Sequence, residues 1–305
     1  MSSYSIKDLE RISNMKAHTI RMWEQRYGLL EPDRTDTNIR SYNDDQVKKL
    51  LNVCTLLDRG MKISKIGKLS KSEMASEIEK VIHDSFQGDV HVEAIINQAL
   101  IGITTFNVPL FDEIFSNAVK RFGLKKTYIK ILYPLLVRTG LMWVKDDLLP
   151  SQEHFLSNLI RQKLFAAIDA LPMAEHADQK WILFLNEEED HEIGLLFAYY
   201  MIRQMGKEVV YLGARVPFRD LSPVISGCKP THAYSFFVRN QFDDQIETLL
   251  GNLTTEFPQI NVCVSGGSEK LKKIASKKGV ILIETIENLT DILISPNAQR
   301  TPTQI

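Results

Sequence analysis

Cysteine is scarce in this 305-residue chain: Cys54, Cys228 and Cys263, far apart and odd in number. That excludes a disulfide framework and the usual zinc spacings, and leaves buried free thiols. No apolar run reaches the ~20 residues that a membrane span needs. The opening M-S-S-Y-S-I-K-D-L-E lacks the basic-then-apolar pattern of a secretory signal. A cytoplasmic protein with no membrane partner is therefore expected. A grouping of acid, base and nucleophile is missing too, so no catalytic turnover is expected. Net charge is only −1, but it is unevenly spread. Residues 1–70 carry 13 Lys and Arg against 9 Asp and Glu, or +4, which leaves −5 for the remainder. A small basic front on an acidic body restricts nucleic-acid contact to the front. Hydrophobic content of 44% and charged content of 25% are ordinary, and the length suits two or three domains.

The front reads as short helices. Ser5 and Asp8 form a capping pair, with Ile6, Leu9 and Ile12 along one face. After the turn at Ser13-Asn14-Met15, Lys16 to Tyr27 reads as a second helix with Ile20, Trp23 and Tyr27 at core spacing. Two short helices across a tight turn make a helix-turn-helix. The Pro, Asn and Asp signals from Gly28 to Tyr42 predict a β-hairpin wing carrying Arg34 and Arg40. Helices over Asn43–Leu57 and Met61–Leu69 follow.

Residues 71–176 read as helical, with the polar stretch Glu73 to Asp84 partly linker. A four-helix bundle is expected from Val90–Ile103 (closed by Gly102), Pro109–Phe122, Lys125–Val144 (bent at Pro134) and a helix capped by Ser151 and running to Leu171. From Gln179 strands and helices alternate, beginning with the apolar run Trp181 to Leu185, a polar loop, and a helix over Leu195–Met205. Alternation of this kind predicts an α/β doubly wound parallel sheet, in which ligands bind beyond the carboxyl ends of the strands. The loop after the first strand places an imidazole, His191, and a carboxylate, Glu189, at such an end. Neutral imidazole is a good transition-metal ligand, and its second nitrogen usually donates to a carboxylate.

Several of these stretches resemble known families. T-I-R-M-W-E-Q-R-Y-G-L-L-E-P-x-R, followed by R-S-Y-N-D-D-Q-V-x-x-L, resembles the DNA-binding domain of the MerR family. The resemblance implies a second helix in the major groove of double-stranded DNA and phosphates held from the wing. It carries these roles to Arg21, Arg40 and Tyr42, with His18, Arg26 and Arg34 as phosphate contacts rather than base readers. Trp23 and Glu24 read as structural.

Glu189-x-His191-x-x-Gly194 resembles the E/D-x-H-x-x-G loop of cobalamin-binding domains, which implies that His191 is the lower cobalt ligand and Glu189 its partner. Gly194 would leave room for a bulky ligand. In the same resemblance Ser235 and the pair Gly266-Gly267 flank the cofactor's nucleotide tail. Trp143, nine residues, then Glu153-His154 resembles the W-x(9)-E-H signature of cobalamin-dependent photoreceptor repressors of the CarH/LitR type, where it shelters the adenosyl group on the upper face. Val144 stands where that type can carry a second histidine. A bis-histidine product is therefore not implied unless another residue such as His154 substitutes. The competing readings are a solvated acidic loop with an incidental histidine, and a core tryptophan beside an exposed Glu-His pair. Two matches at their expected places on one chain favour the resemblance.

The expected organisation is a MerR-type winged helix-turn-helix domain over 1–70, a helical bundle capping the cofactor over 71–176, a cobalamin-binding Rossmann-like domain over 177–297 and a tail over 298–305. The expected function is a DNA-binding transcriptional repressor controlled by adenosylcobalamin and, in that type, by light. It would act as a homo-oligomer, dimer or tetramer, on an inverted-repeat operator. The alternative keeps the fold and discards the corrinoid, making the α/β domain an oligomerisation or protein-binding module.

Overall fold

The computed structural model describes residues 4–13, 15–34, 40–58, 60–87, 92–144, 148–174, 177–238 and 243–294. Helices α1 (Ile6–Ser13) and α2 (Ala17–Tyr27) are followed by a two-stranded antiparallel wing, β1 (Asp33–Arg34) and β2 (Arg40–Ser41). The wing tip lies outside the described residues. Helices α3 (Asp44–Asp58) and α4 (Ile63–Ile66) complete the front. Ser5 and Asp8 cap α1 reciprocally, Asp8 N–H donating to Ser5 Oγ at 3.3 Å and Ser5 N–H to Asp8 Oδ2 at 2.5 Å. Asn43 and Gln46 cap α3 in the same manner, at 2.8 and 3.0 Å. Leu9, Ile20, Leu29, Val47, Leu50 and Leu51 are buried beneath these elements.

The polar stretch expected to be partly linker is instead part of α5 (Lys71–Gln87). Ser70 and Glu73 form a further capping box, and Met74, Ile78 and Val81 bury one face at helical spacing. Gly102 does not close its helix: α6 runs from Val92 to Thr104 and buries Gly102 within it. Helix α7 (Val108–Thr127) breaks at Gly123, whose φ of 73° and ψ of 160° are non-helical. The bend expected at Pro134 is a π-turn, Tyr128–Leu132, just before α8 (Tyr133–Val144). Proline lacks an N–H and crowds the carbonyl four residues back, and the wider turn relieves that crowding. Ser151 does not cap the next helix. Helix α9 (Pro150–Asp169) starts at Pro150, a residue whose missing N–H costs nothing there, and Leu149 N–H donates to Gln152 Oε1 at 3.0 Å.

The α/β region follows as β3 (Lys180–Asn186), α10 (Ile193–Gln204), β4 (Glu208–Val216), α11 (Phe218–Cys228), β5 (His232–Phe237), α12 (Asp243–Glu256), β6 (Asn261–Gly266), α13 (Glu269–Lys278), β7 (Ile281–Leu282) and α14 (Ile286–Ile294). The five strands are parallel in the order β4-β3-β5-β6-β7. The order reverses between β3 and β5, and the crevice beyond their carboxyl ends is where such sheets bind ligands. Side chains alternate across each strand. Ile182, Phe184, Ala233, Phe237, Val262 and Val264 form one buried face with α11, α12 and α13. Each fully buried aliphatic or aromatic side chain contributes about 1.5–3 kcal/mol, and the opposite face, with Trp181, Leu183 and Leu185, is buried as well.

The chain divides into two compact units, Met1–Leu159 and Ile160–Ile305. In the first unit α3 packs against α6, where buried Gln98 donates through Nε2 to Oδ1 of half-buried Asn52 at 3.0 Å. The division then falls inside the continuous helix α9. The tail expected over 298–305 lies outside the described residues. Among the described residues no helix is long and apolar enough to cross a membrane.

Candidate functional site

Glu189 is the pivot of the loop after β3. It is 3% exposed although it is a carboxylate, and a buried charge needs donors. Its Oε1 accepts from the backbone N–H of Asp190 at 3.0 Å and of His191 at 3.1 Å, and lies 2.6 Å from His191 Nδ1. Its Oε2 accepts from Val238 N–H, at the end of β5, at 2.9 Å. The loop is thus pinned across the switch point. Because a carboxylate only accepts, Nδ1 carries the proton, and Nε2 is the ring nitrogen with a lone pair. The His191 side chain is 48% exposed.

The neighbouring acids are also anchored. Asp190 Oδ2 accepts from Arg215 Nη2 at 2.8 Å. Glu192 accepts from Arg161 Nη1 at 3.0 Å and from Tyr211 Oη at 2.9 Å. Burial and the adjacent Glu192 carboxylate push the Tyr211 phenol well above its ordinary pKa, so it remains a donor. One ligand atom each from Glu189, Asp190 and His191 lies within 4.8 Å of the others. Glu189 is committed to N–H donors, so the chemistry is that of a single imidazole ligand with a carboxylate behind it, rather than of a three-residue cation cage.

Ser235 Oγ is buried on β5 and finds no hydrogen-bond partner among the described residues. The same holds for Asn186 Oδ1 at the end of β3. Alternation places Asn186, Ser235 and Gly266 on one face of the sheet. A Cβ on Gly266 would meet Phe237 O and Leu271 Cδ2 at 2.6 Å, so glycine is required there by the neighbouring strand itself. Gly267 has nothing within 4 Å of a Cβ position, leaving open space beside the sheet's end. Gly194 lies in the first turn of α10, where a Cβ would come within 2.9 Å of the Phe236 ring. The space expected for a ligand at Gly194 is therefore taken by Phe236. The orphaned Ser235 hydroxyl, the open space at Gly267 and the half-exposed imidazole backed by a carboxylate fit a nucleotide-tailed metal cofactor.

In the first unit, Glu153 and His154 do pair. His154 Nδ1 lies 2.8 Å from Glu153 Oε2, and Ser157 Oγ donates to Glu153 Oε1. The His154 side chain is 73% exposed. Trp143 and Val144 lie on α8, and their side chains are outside the described residues.

On the front, His18, Arg21, Met22, Gln25 and Arg26 form an exposed stripe of α2, opposite buried Ile20 and Trp23. Arg34 is exposed on β1. Glu24 is structural, as expected. It accepts from Arg40 Nε at 3.0 Å and from Tyr42 Oη at 2.5 Å. Tyr42 is 1% exposed, and its backbone pairs with Tyr4. Burial and the Glu24 carboxylate raise its pKa. Tyr42 is thus an interior anchor of the wing, and its hydroxyl is already engaged, whereas Arg40 reaches the half-buried rim.

The sequence reading missed Asn186, Arg161, Tyr211, Arg215 and the Val238 N–H, which come from separate elements with no shared local pattern. Met22 and Gln25 were legible from helical period alone.

A helix-turn-helix front and a parallel sheet with an imidazole loop at its switch point define an architecture: a winged helix-turn-helix, helices, and a doubly wound α/β region. Residues 4–73 match the MerR HTH family regulatory protein family. The chain is 28% identical over 271 residues to the HTH-type transcriptional repressor CarH of Myxococcus xanthus, covering 88% of this chain and 90% of that protein. It is 27% identical over 310 residues to the repressor CarA of the same organism, covering 97% and 99%. Among solved structures, the monomethylamine corrinoid protein of Methanosarcina barkeri matches with a TM-score of 0.53 at 17% identity, covering 66% of this chain and 94% of that one, a likeness of fold. The front of the chain, residues 4–73, thus matches the MerR helix-turn-helix model, and the chain is similar over nearly its whole length to the repressors CarH and CarA.

Proposed function

We propose that the chain is a DNA-binding transcriptional repressor governed by adenosylcobalamin, with His191 as the cobalt ligand, and that it is not an enzyme. The observation that carries this is the Glu189–His191 pair at the sheet's switch point, a buried carboxylate accepting from Nδ1 of a half-exposed ring. When bound, the cofactor would supply a cobalt centre able to take an imidazole nitrogen and a light-labile carbon–cobalt bond. This chain's own residues do the rest. Glu189 accepts from Nδ1 and orients the ring, Ser235 offers a buried hydroxyl to the nucleotide tail, Gly267 leaves open space beside it, and Gly266 lets the strand end pass close to β5. Trp143, Glu153 and His154 are assigned to the upper face by the resemblance. His18, Arg21, Arg26, Arg34 and Arg40 supply the DNA-facing charge, and Tyr42 holds the wing through Glu24. Action as a cytoplasmic homo-oligomer, dimer or tetramer, on an inverted repeat belongs to the same reading.

The DNA half is tested by titrating a labelled operator duplex with wild type and Arg21→Ala over a range of salt. Loss of an arginine contact should cost about 1–3 kcal/mol, and affinity should fall steeply with salt as counterions are released. Salt-independent binding, or an unaffected Arg21→Ala protein, contradicts the assignment. Elution on size exclusion with adenosylcobalamin, in the dark and after green light, separates light from cofactor level as the signal. A shift on illumination supports light, and identical elution with cofactor bound in both states supports cofactor level.

A further inference from the structure

The carboxyl end of β4 is distorted next to the histidine loop. Leu183 pairs with Tyr211 and Asn186 with Val216, so β4 takes five steps where β3 takes three. The two added residues are accommodated around Gly213 and Arg215, with φ of 79° and 58°. Bulges of this kind re-aim a side chain beside a functional site. Left-handed backbone suits Gly213, but for an arginine it is strained and persists only where its surroundings hold it.

What holds Arg215 is the loop itself. Its N–H donates to Glu189 O at 3.2 Å, and its Nη2 donates to Asp190 Oδ2 at 2.8 Å. Asp190 Oδ1 lies 3.4 Å from His191 Nδ1. One strained residue therefore grips the main chain of the carboxylate that orients the imidazole, together with the side chain between them.

We propose that Arg215 is a positioning residue for His191: the bulged end of β4 is a latch that holds the loop with the imidazole set to ligate a metal. This rests on the reading of His191 as the cobalt ligand. The latch touches neither metal nor substrate and acts through Asp190 and Glu189. The guanidinium is 68% exposed and the Asp190 side chain 35%, so the ion-pair part of the latch is modest and salt-sensitive.

The test uses full-length protein labelled with 15N-histidine, adenosylcobalamin titrations for affinity, and electron paramagnetic resonance of bound cob(II)alamin. The spectrum distinguishes a labelled protein nitrogen on cobalt from the cofactor's own base. Arg215→Ala should bind on the order of five-fold more weakly at low salt, with a larger share of cofactor keeping its own base. The charge exchange Asp190→Arg with Arg215→Asp should restore both readouts, and about 1 M salt should erase the difference from wild type. Arg215→Gly, free of backbone strain, should melt above Arg215→Ala and bind no tighter, which a purely structural role would not produce. Unchanged affinity and unchanged histidine signal in Arg215→Ala and Arg215→Gly overturn the latch while leaving His191 in place. A loss that the charge exchange does not restore overturns it as well. A wild-type spectrum without a labelled nitrogen overturns the His191 reading beneath it.

Discussion

The sheet carries a histidine at each end, and the two are opposites. At the amino end His232 pairs in register with Trp181 and stacks on it, ring centroids 4.2 Å apart at 11°. It is 5% exposed, and its ring nitrogens face Thr231 Oγ1 at 2.8 Å and Asn261 Nδ2 at 3.3 Å. Burial pushes its pKa down to about 4, with Asp178 pulling weakly upward and Lys207 downward. At the carboxyl end His191 is half-exposed and sits on a buried carboxylate. The same side chain thus packs as a neutral buried aromatic at one end and stands half-exposed on a carboxylate at the other. The difference teaches that residue type alone does not make a candidate ligand: a carboxylate behind Nδ1 and an exposed ring do.

The largest expected effect lies at the amino end. The folded pKa of His232 is depressed below its unfolded value of 6.5, so the unfolded chain takes up the proton first. Its contribution is therefore complete above pH 6.5 and is lost as pH falls toward about 4, where the folded form protonates too. The loss amounts to roughly 3 kcal/mol. Urea titrations at stepped pH should show His232→Gln losing less stability than wild type across that window. Parallel pH dependence in the two proteins would erase the contrast between the ends.

A smaller effect sharpens the other side. Glu189→Gln keeps shape but replaces a charged acceptor, so adenosylcobalamin affinity should fall by about 10–100-fold at most. If affinity is unchanged while circular dichroism shows a folded protein, the carboxylate is only a loop staple.

The sheet and its order of strands and helices were legible because the apolar runs are short, bounded and alternate with helical periods. His191 and Glu189 were legible for a local reason: they are two residues apart on one loop. The polar stretch after Glu73 was misread because its net polarity hid the capping box at Ser70 and the buried stripe of Met74, Ile78 and Val81. Partners brought together by folding left no sequence mark. Arg215 meets Asp190 from 25 residues away and Glu24 meets Tyr42 from 18. Tyr42 shows the consequence: the resemblance puts it on phosphate, while the fold turns its hydroxyl inward to a carboxylate that sequence reading could only describe as structural.

The central claim is that His191 gives its Nε2 to cobalt. His191→Ala removes that nitrogen and leaves Glu189 bonded to the N–H groups of Asp190, residue 191 and Val238, so the loop should keep its fold. The direct measurement is the visible spectrum and affinity of adenosylcobalamin with wild type and His191→Ala, read beside circular dichroism. The account predicts strong binding with the cofactor's own base displaced in wild type, and weak binding with that base retained on cobalt in the variant. A folded His191→Ala protein that binds with unchanged affinity and spectrum, or a wild type that binds no corrinoid, would contradict it.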